Sequence, residues 1–103
     1  MKITIAAKTD EEKLLAIMRE SFEGETDPSA DEWHETTVAV HTLLRDPQAG
    51  EANLIFDDGG DLIGYIIMCR GFSLDYGGYF TWVEESYIRE SEQGRFRDKR
   101  FSP

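Results

Sequence analysis

The strongest constraint on the fold is a pair of apolar runs separated by a turn rich in aspartate and glycine. The runs cover residues 52–56 and 62–70, and residues 57–61 between them read Asp-Asp-Gly-Gly-Asp. Because these turn residues tolerate positive φ angles, the pattern predicts an antiparallel hairpin. A further run rich in aromatic residues, 79–89, follows a loop predicted at 71–78. Three successive strands of this kind predict an antiparallel meander.

The first half of the chain has helical spacing instead. Residues 3–6 alternate and predict a first strand, and Thr9 with Glu12 three positions later has the pattern of a capping box. We therefore expect one helix over 10–23 and a second over 31–44. The apolar side of the second helix is predicted to contain Trp33, Val38, His41 and Leu44. The resulting order, β-α-α-β-β-β, is that of an α+β fold in a single domain.

The charge of the chain argues against several classes of partner. The 103 residues contain 21 acidic and 11 basic residues, a net charge of −10. Nucleic acid and anionic membrane surfaces both favour basic proteins, so we expect neither as a partner. The apolar run at 65–69 is too short to span a bilayer, and the start of the chain is too short for a signal peptide. With one cysteine, Cys69, a disulfide framework is excluded, and a cytoplasmic location is expected.

The charge is also unevenly distributed. Residues 1–94 contain seven basic and 20 acidic side chains, whereas residues 95–103 contain four basic and one acidic. The last nine residues therefore differ in composition from the rest of the chain.

Several other residues have two possible roles. His34 and His41 are seven positions apart, a spacing that favours packing or a surface role over a metal pair, so no metal is expected. Cys69, within an apolar strand, is expected to be a buried and inert thiol. Five aromatic residues are expected in the core, with an acceptor pocket as the alternative: Phe72, Tyr76, Tyr79, Phe80 and Trp82.

Three stretches together resemble the GNAT family of N-acetyltransferases. The first is the strand followed by two helices, the second is the hairpin at 57–66, and the third is residues 83–89 running into 90–95. The resemblance implies a partial GNAT-like domain over 1–95, with a basic tail at 96–103 that does not match the family. It also implies transfer of acetyl from acetyl-CoA to a small amine.

The same resemblance implies roles for individual residues. Glu84 lies where the family has the acid that deprotonates the amine, directly or through water. The backbone amides of Tyr87, Ile88 and Arg89 would hydrogen-bond the thioester carbonyl and the pantetheine arm. The start of the acetyl-CoA pyrophosphate loop is matched by Gln93, Gly94 and Arg95. The alternative is that Glu84 is a solvated strand residue and that these amides serve only the sheet.

The chain departs from the family's pattern after Arg95. Phe96 and Asp98 occupy positions where the loop requires glycine or another small residue. We therefore expect a GNAT portion truncated within its acetyl-CoA loop, by a frameshift, a premature stop or a recombination joint rather than by an evolved tail. Such a chain would be weakly active or inactive alone.

Two further hypotheses remain open. One is a non-catalytic module that binds a ligand or forms homo-oligomers, and the other is an active assembly completed by a second polypeptide. A strand at 79–89 on the edge of the sheet is long and aromatic, which predicts a homodimer formed through that edge.

Overall fold

The predicted order of helices and strands is confirmed in a computed structural model that describes residues 1–22 and 29–89. Strand β1 (Lys2–Ile5) is followed by a short 3-10 turn (Lys8–Asp10) and helix α1 (Glu11–Phe22). Next come helix α2 (Ala30–Leu43) and three strands: β2 (Gly50–Phe56), β3 (Leu62–Ser73) and β4 (Gly78–Ile88). This is the α+β class expected from the sequence.

The strands form one antiparallel sheet in the order β1-β2-β3-β4. The turn between β2 and β3 is held by Asp57, whose carboxylate accepts hydrogen bonds from the amides of Gly59 and Asp61, both at 2.9 Å. Gly60 has a φ of 90°, which requires a residue that tolerates the left-handed region. The hairpin is thus formed where the turn residues predicted it.

The start of α1 differs from the prediction. The amide of Ala7 donates to the carboxylate of Asp10 at 2.8 Å, and Thr9 lies within the 3-10 turn. The expected capping pair of Thr9 and Glu12 is therefore wrong, because the chain turns two residues before Thr9.

Helix α2 begins with a capping box that was not predicted. The Ser29 hydroxyl accepts from the Glu32 amide at 3.1 Å, and the Ser29 amide donates to the Glu32 carboxylate at 3.2 Å. The predicted apolar side of this helix is partly wrong, since Val38 and His41 are exposed and Val40 is buried instead.

Both helices pack on one face of the sheet. The core cluster joins α1, α2, β2 and β3, and its members include Leu14, Val40, Leu54 and Tyr65. On the opposite face Ile3 and Ile5 of β1 are exposed. A second, smaller apolar cluster contains Ile55 and Ile63.

Strand β3 is longer than predicted, β4 has the predicted length but lies one residue earlier, and both carry exposed aromatic residues. The connection between them is a turn at 74–77, shorter than the predicted loop at 71–78. The expectation that five aromatics lie in the core is wrong: Phe80 is half-buried, and the others are exposed, namely Phe72, Tyr76, Tyr79 and Trp82. The core cluster beneath the helices extends along β3 from Tyr65 to Ile67, with Cys69 packed against it.

Neither of the two helices in the described ranges is long and apolar enough to cross a bilayer.

Candidate functional site

Strand β4 contains one extra residue at the position of Glu84. Ile67 of β3 pairs with Glu85, whereas the next residue, Met68, pairs with Val83, so Glu84 has no counterpart on β3. An extra residue of this kind is a β-bulge, which changes the direction of the side chains around it. A regular strand would turn Glu84 and Glu85 to opposite faces. The bulge removes that constraint for the two carboxylates.

Contacts indicate that both carboxylates lie on the face that the helices cover. Glu85 accepts a hydrogen bond from the hydroxyl of Tyr65, a core residue, at 2.5 Å. Glu84 accepts one from the indole Nε1 of Trp82 at 3.0 Å, and Trp82 pairs with Cys69, which packs against the core. The side chain of Glu84 is exposed, so it is open to solvent rather than enclosed in a cleft.

Tyr65 connects Glu85 to helix α1. Its side chain is fully buried, and its hydroxyl lies 3.0 Å from the hydroxyl of Ser21 near the end of α1. Burial raises the pKa of Tyr65, and the hydrogen bond to the Glu85 carboxylate raises it further. Tyr65 is therefore a neutral hydrogen-bond donor that holds Glu85 in place.

A second polar cluster, formed by Glu20, Tyr87 and Arg89, lies beside the Tyr65–Glu85 pair. The guanidinium of Arg89 donates to Glu20 through Nε at 2.8 Å and through Nη2 at 3.0 Å. The hydroxyl of Tyr87 donates to the same carboxylate at 3.0 Å, and its ring lies 6.0 Å from that of Tyr65. The hydrogen bond from Arg89 is the main cause that lowers the pKa of Glu20. The last turn of α1 is thus fixed to the end of β4.

The residues expected to contact acetyl-CoA are described only in part. Tyr87 and Ile88 are the last residues of β4, and Arg89 follows it, with its amide donating to the carbonyl of Ile63 at 2.9 Å. Successive amides of a strand in an antiparallel sheet point alternately toward and away from the neighbouring strand. The Tyr87 amide therefore also points toward β3, and the amides of Ser86 and Ile88 point away from it. Gln93, Gly94, Arg95 and the tail at 96–103 lie outside the described residues. The acetyl-CoA contacts therefore stay a prediction.

The two histidines are not brought together. His34 is exposed, while His41 Nδ1 lies 3.2 Å from Glu11, which also accepts from Arg45 at 2.7 Å. The Arg45 hydrogen bond is the main cause that lowers the pKa of Glu11. Within residues 1–22 and 29–89, no three metal-ligating side chains form a group.

Cys69 is half-buried rather than buried. Desolvation raises the pKa of its thiol, and the charge of Glu84 adds to the effect. Both effects favour the neutral thiol over the nucleophilic thiolate.

A cleft of about 490 Å³ lies elsewhere on the molecule. It is lined by the end of α2, the residues that follow it, and the strands; Leu43, Arg45, Ala52 and Arg70 are among these residues, whereas Glu84 and Glu85 are not.

Three residues of the site were missed from the sequence. Glu20 and Ser21 belong to the polar side of α1, and Tyr65 belongs to an apolar strand. Their partners are between 20 and 69 positions away along the chain, so no local pattern indicates the contacts.

Comparison with known proteins gives a likeness of fold. No protein-family model matches the sequence, and no curated protein matches it either. Among solved structures, a possible acetyltransferase from Clostridium difficile 630 matches with a TM-score of 0.74 at 15% identity, over 95% of this chain and 63% of that chain. The ribosomal-protein-alanine N-acetyltransferase of Brucella melitensis biovar Abortus 2308 matches with a TM-score of 0.66 at 19% identity, over 95% and 63%.

An integron cassette protein from the mobile metagenome of Cole Harbour Salt Marsh is also similar. Its TM-score is 0.70 at 25% identity, over 91% of this chain and 60% of that chain. The chain therefore spans about three fifths of the length of these structures. The predicted partial GNAT-like fold is confirmed.

Proposed function

We propose that this chain provides part of a GNAT-like N-acetyltransferase, which transfers acetyl from acetyl-CoA to a small amine. The observation that supports it most is the β-bulge at Glu84, in a sheet with an acetyltransferase fold. The bulge brings Glu84 and Glu85 to one face, where Glu85 is held by Tyr65 and Glu84 is accessible to an incoming amine.

In the proposed reaction, Glu84 is the general base. An amine acceptor is an ammonium ion at neutral pH, so it must lose a proton before its nitrogen attacks. Glu84 takes that proton, directly or through water, and the nitrogen bonds to the thioester carbon within a ternary complex. The carbon–sulfur bond then breaks, and the thiolate of CoA leaves and takes up the second proton, which the acylated nitrogen releases as it becomes the amide.

We assign acetyl-CoA to the end of β4 and the residues that follow it. An extended strand with amides directed away from β3 suits the amide groups of a pantetheine arm, and Ser86 supplies one such amide. Tyr87, Ile88 and Arg89 belong to this segment, and the pyrophosphate is assigned to Gln93, Gly94 and Arg95. Phe96 and Asp98 oppose tight pyrophosphate binding, because a bulky ring and a carboxylate stand where small residues are needed.

The chain alone is expected to be weakly active or inactive. Since it spans about three fifths of the similar structures, the proposed activity belongs to this part together with the remainder of such a fold. A second polypeptide that supplies the remainder is one form of the proposal. A cytoplasmic location stays a prediction.

The experiment is thermal unfolding with acetyl-CoA. A ligand that binds only the folded state at about a hundred times its Kd adds about 2.7 kcal/mol to the free energy of unfolding. We expect the melting temperature to rise, and the rise to be smaller for Arg89→Gln. Arg45→Gln is the matched control, since it removes the same charge from the other end of α1, where Arg45 pairs with Glu11, and should keep the full rise. No shift with millimolar acetyl-CoA would contradict the proposal.

A homodimerising module is the second candidate function. In the part of the chain that the structure describes, β4 pairs with β3 and has no strand on its other side. The edge carries exposed apolar side chains, among them Tyr79 and Val83. Light scattering at micromolar concentration is expected to give a dimer, and Val83→Lys is expected to give a monomer, because a lysine on an edge strand opposes pairing. A monomeric wild-type chain would rule this candidate out.

A further inference from the structure

A row of three aromatic side chains runs along the β3–β4 hairpin beyond the helices. We call Tyr76, Phe80 and Trp82 the aromatic row. The ring centroids of Tyr76 and Phe80 are 4.9 Å apart, and those of Phe80 and Trp82 are 5.4 Å apart. Trp82 is 41% exposed and Tyr76 is 73% exposed. The row therefore presents flat apolar surface to solvent instead of filling the core.

Gly71 allows the row to lie close to the sheet. Gly71 pairs with Phe80 across the hairpin. A Cβ at Gly71 would lie 2.8 Å from Cζ3 of Trp82 and 2.9 Å from Cζ of Phe80, closer than side-chain atoms approach one another. The rings of Trp82 and Phe80 thus rest where a side chain on β3 would otherwise stand. The glycine gives the row a defined position on the face that the helices cover farther along the sheet.

A carboxylate ends the row. Trp82 Nε1 donates a hydrogen bond to Glu84 Oε1 at 3.0 Å. This bond holds the carboxylate of Glu84, the proposed general base, beside the last ring. Glu84 is exposed, so this carboxylate is accessible from the same side as the rings. Neighbouring Glu85 is already engaged by the hydroxyl of Tyr65. A single accessible carboxylate at one end of a flat apolar row matches a ligand with one positive charge and one ring.

We infer that the aromatic row and Glu84 together bind the acceptor, and that the acceptor is an arylalkylamine. This inference rests on the proposed function, since it names the substrate class of the same site. The ammonium group pairs with Glu84 and lies near the face of Trp82, where a cation is attracted by the ring. The aromatic part of the ligand stacks on Trp82 and Phe80. The amine nitrogen is then held beside the group that deprotonates it.

Binding of 2-phenylethylamine to the 103-residue chain, measured by calorimetry without acetyl-CoA, tests this inference. Two probes separate its parts: 2-phenylethanol has the ring without the charge, and butylamine has the charge without the ring. We expect each to bind about tenfold more weakly, which corresponds to about 1.4 kcal/mol. Equal binding of butylamine and 2-phenylethylamine would overturn the role of the rings.

Two variants and a control locate the site. Glu84→Gln keeps the shape and removes the charge, and Trp82→Leu keeps an apolar side chain and removes the ring. Each variant is expected to raise the Kd for 2-phenylethylamine about tenfold. The control is Glu35→Gln, on the exposed surface of α2, which should change this Kd less than about twofold. Unchanged binding in both variants would place the amine elsewhere and overturn the inference.

Light scattering on the same samples tests the other occupant, a second copy of the chain. If 2-phenylethylamine does not bind and Trp82→Leu converts a dimer to a monomer, the row is a subunit interface and the inference is wrong. The acetyl-CoA melting experiment separates this outcome from failure of the proposed function. Amine binding without any acetyl-CoA shift defeats the proposed reaction only, and an acetyl-CoA shift without amine binding defeats the acceptor assignment only.

Discussion

Replacing Tyr65 with phenylalanine removes one oxygen from the centre of the site. Tyr65 is fully buried, and its hydroxyl hydrogen-bonds Glu85 at 2.5 Å and Ser21 at 3.0 Å. A hydrogen bond to a charged group contributes about 1.5–3 kcal/mol, and a partly buried partner that loses it adds a desolvation cost. Because the ring is retained, no large cavity forms. We expect Tyr65→Phe to lower the free energy of unfolding by about 2 kcal/mol.

A double-mutant cycle shows whether that loss comes from Glu85. Glu85→Gln changes the partner of the same hydrogen bond, so the two losses should not add. We expect a coupling energy of about 1 kcal/mol or more between Tyr65→Phe and Glu85→Gln. The measurement is urea unfolding of the wild-type chain, the two single variants and the double variant. The slope of the free energy of unfolding against urea concentration must be equal in all four for the comparison to hold.

Tyr76→Phe is the matched control for this cycle. Tyr76 is 73% exposed, so loss of its hydroxyl should change stability by less than about 0.5 kcal/mol. A cost of Tyr65→Phe no greater than that of Tyr76→Phe, or simple addition of the effects of Tyr65→Phe and Glu85→Gln, would contradict this role of Tyr65.

Three further predictions concern pH and packing. The pKa of Tyr65 in the folded chain is raised above its usual value of about 10, so its contribution to the free energy of unfolding is complete below that pH and is lost as the pH rises above it. Alkaline unfolding should show this loss of stability, and the loss should be absent in Tyr65→Phe. The pKa of Glu20 in the folded chain is lowered from 4.5, chiefly by the hydrogen bond from Arg89. Its contribution to the free energy of unfolding is therefore present above pH 4.5 and is lost as the pH falls through the lowered pKa of the folded chain. Glu20→Gln should therefore flatten acid unfolding between these values, and an unchanged acid profile would show that the Arg89 pair does not stabilise the chain. Gly71→Ala should destabilise the chain by about 1–3 kcal/mol and change the fluorescence of Trp82, because the new Cβ would displace its ring; wild-type stability would contradict the packing described.

The hairpin and the strand order were predictable because their signals are local. The Asp-Gly turn determines where β2 and β3 meet, and Asp57 makes the bonds that such a turn requires. The apolar side of α2 was less predictable. Thr37 is half-buried, and its hydroxyl is satisfied by the carbonyl of Trp33 at 2.9 Å, so a polar residue stands where apolar residues were sought.

The site could be predicted only in part, for a different reason. The pair Glu84-Glu85 is visible in the sequence, but the β-bulge between them depends on the register of β4 against β3. Glu20 has the pattern of a solvated helix residue, and its partner Arg89 is 69 positions away. The exposure of the aromatic row depends on how far the helices extend over the sheet, which is a property of packing between distant segments.

The central claim is that Glu84 on β4 is the base of an acetyl transfer. Acetyl transfer to 2-phenylethylamine tests it most directly, with protein in excess over acetyl-CoA so that a weak activity is detected by mass spectrometry of the product. We predict acetylated amine with the wild-type chain and with Glu35→Gln, and a rate about a hundredfold lower with Glu84→Gln. Product at the same rate with Glu84→Gln would contradict the account.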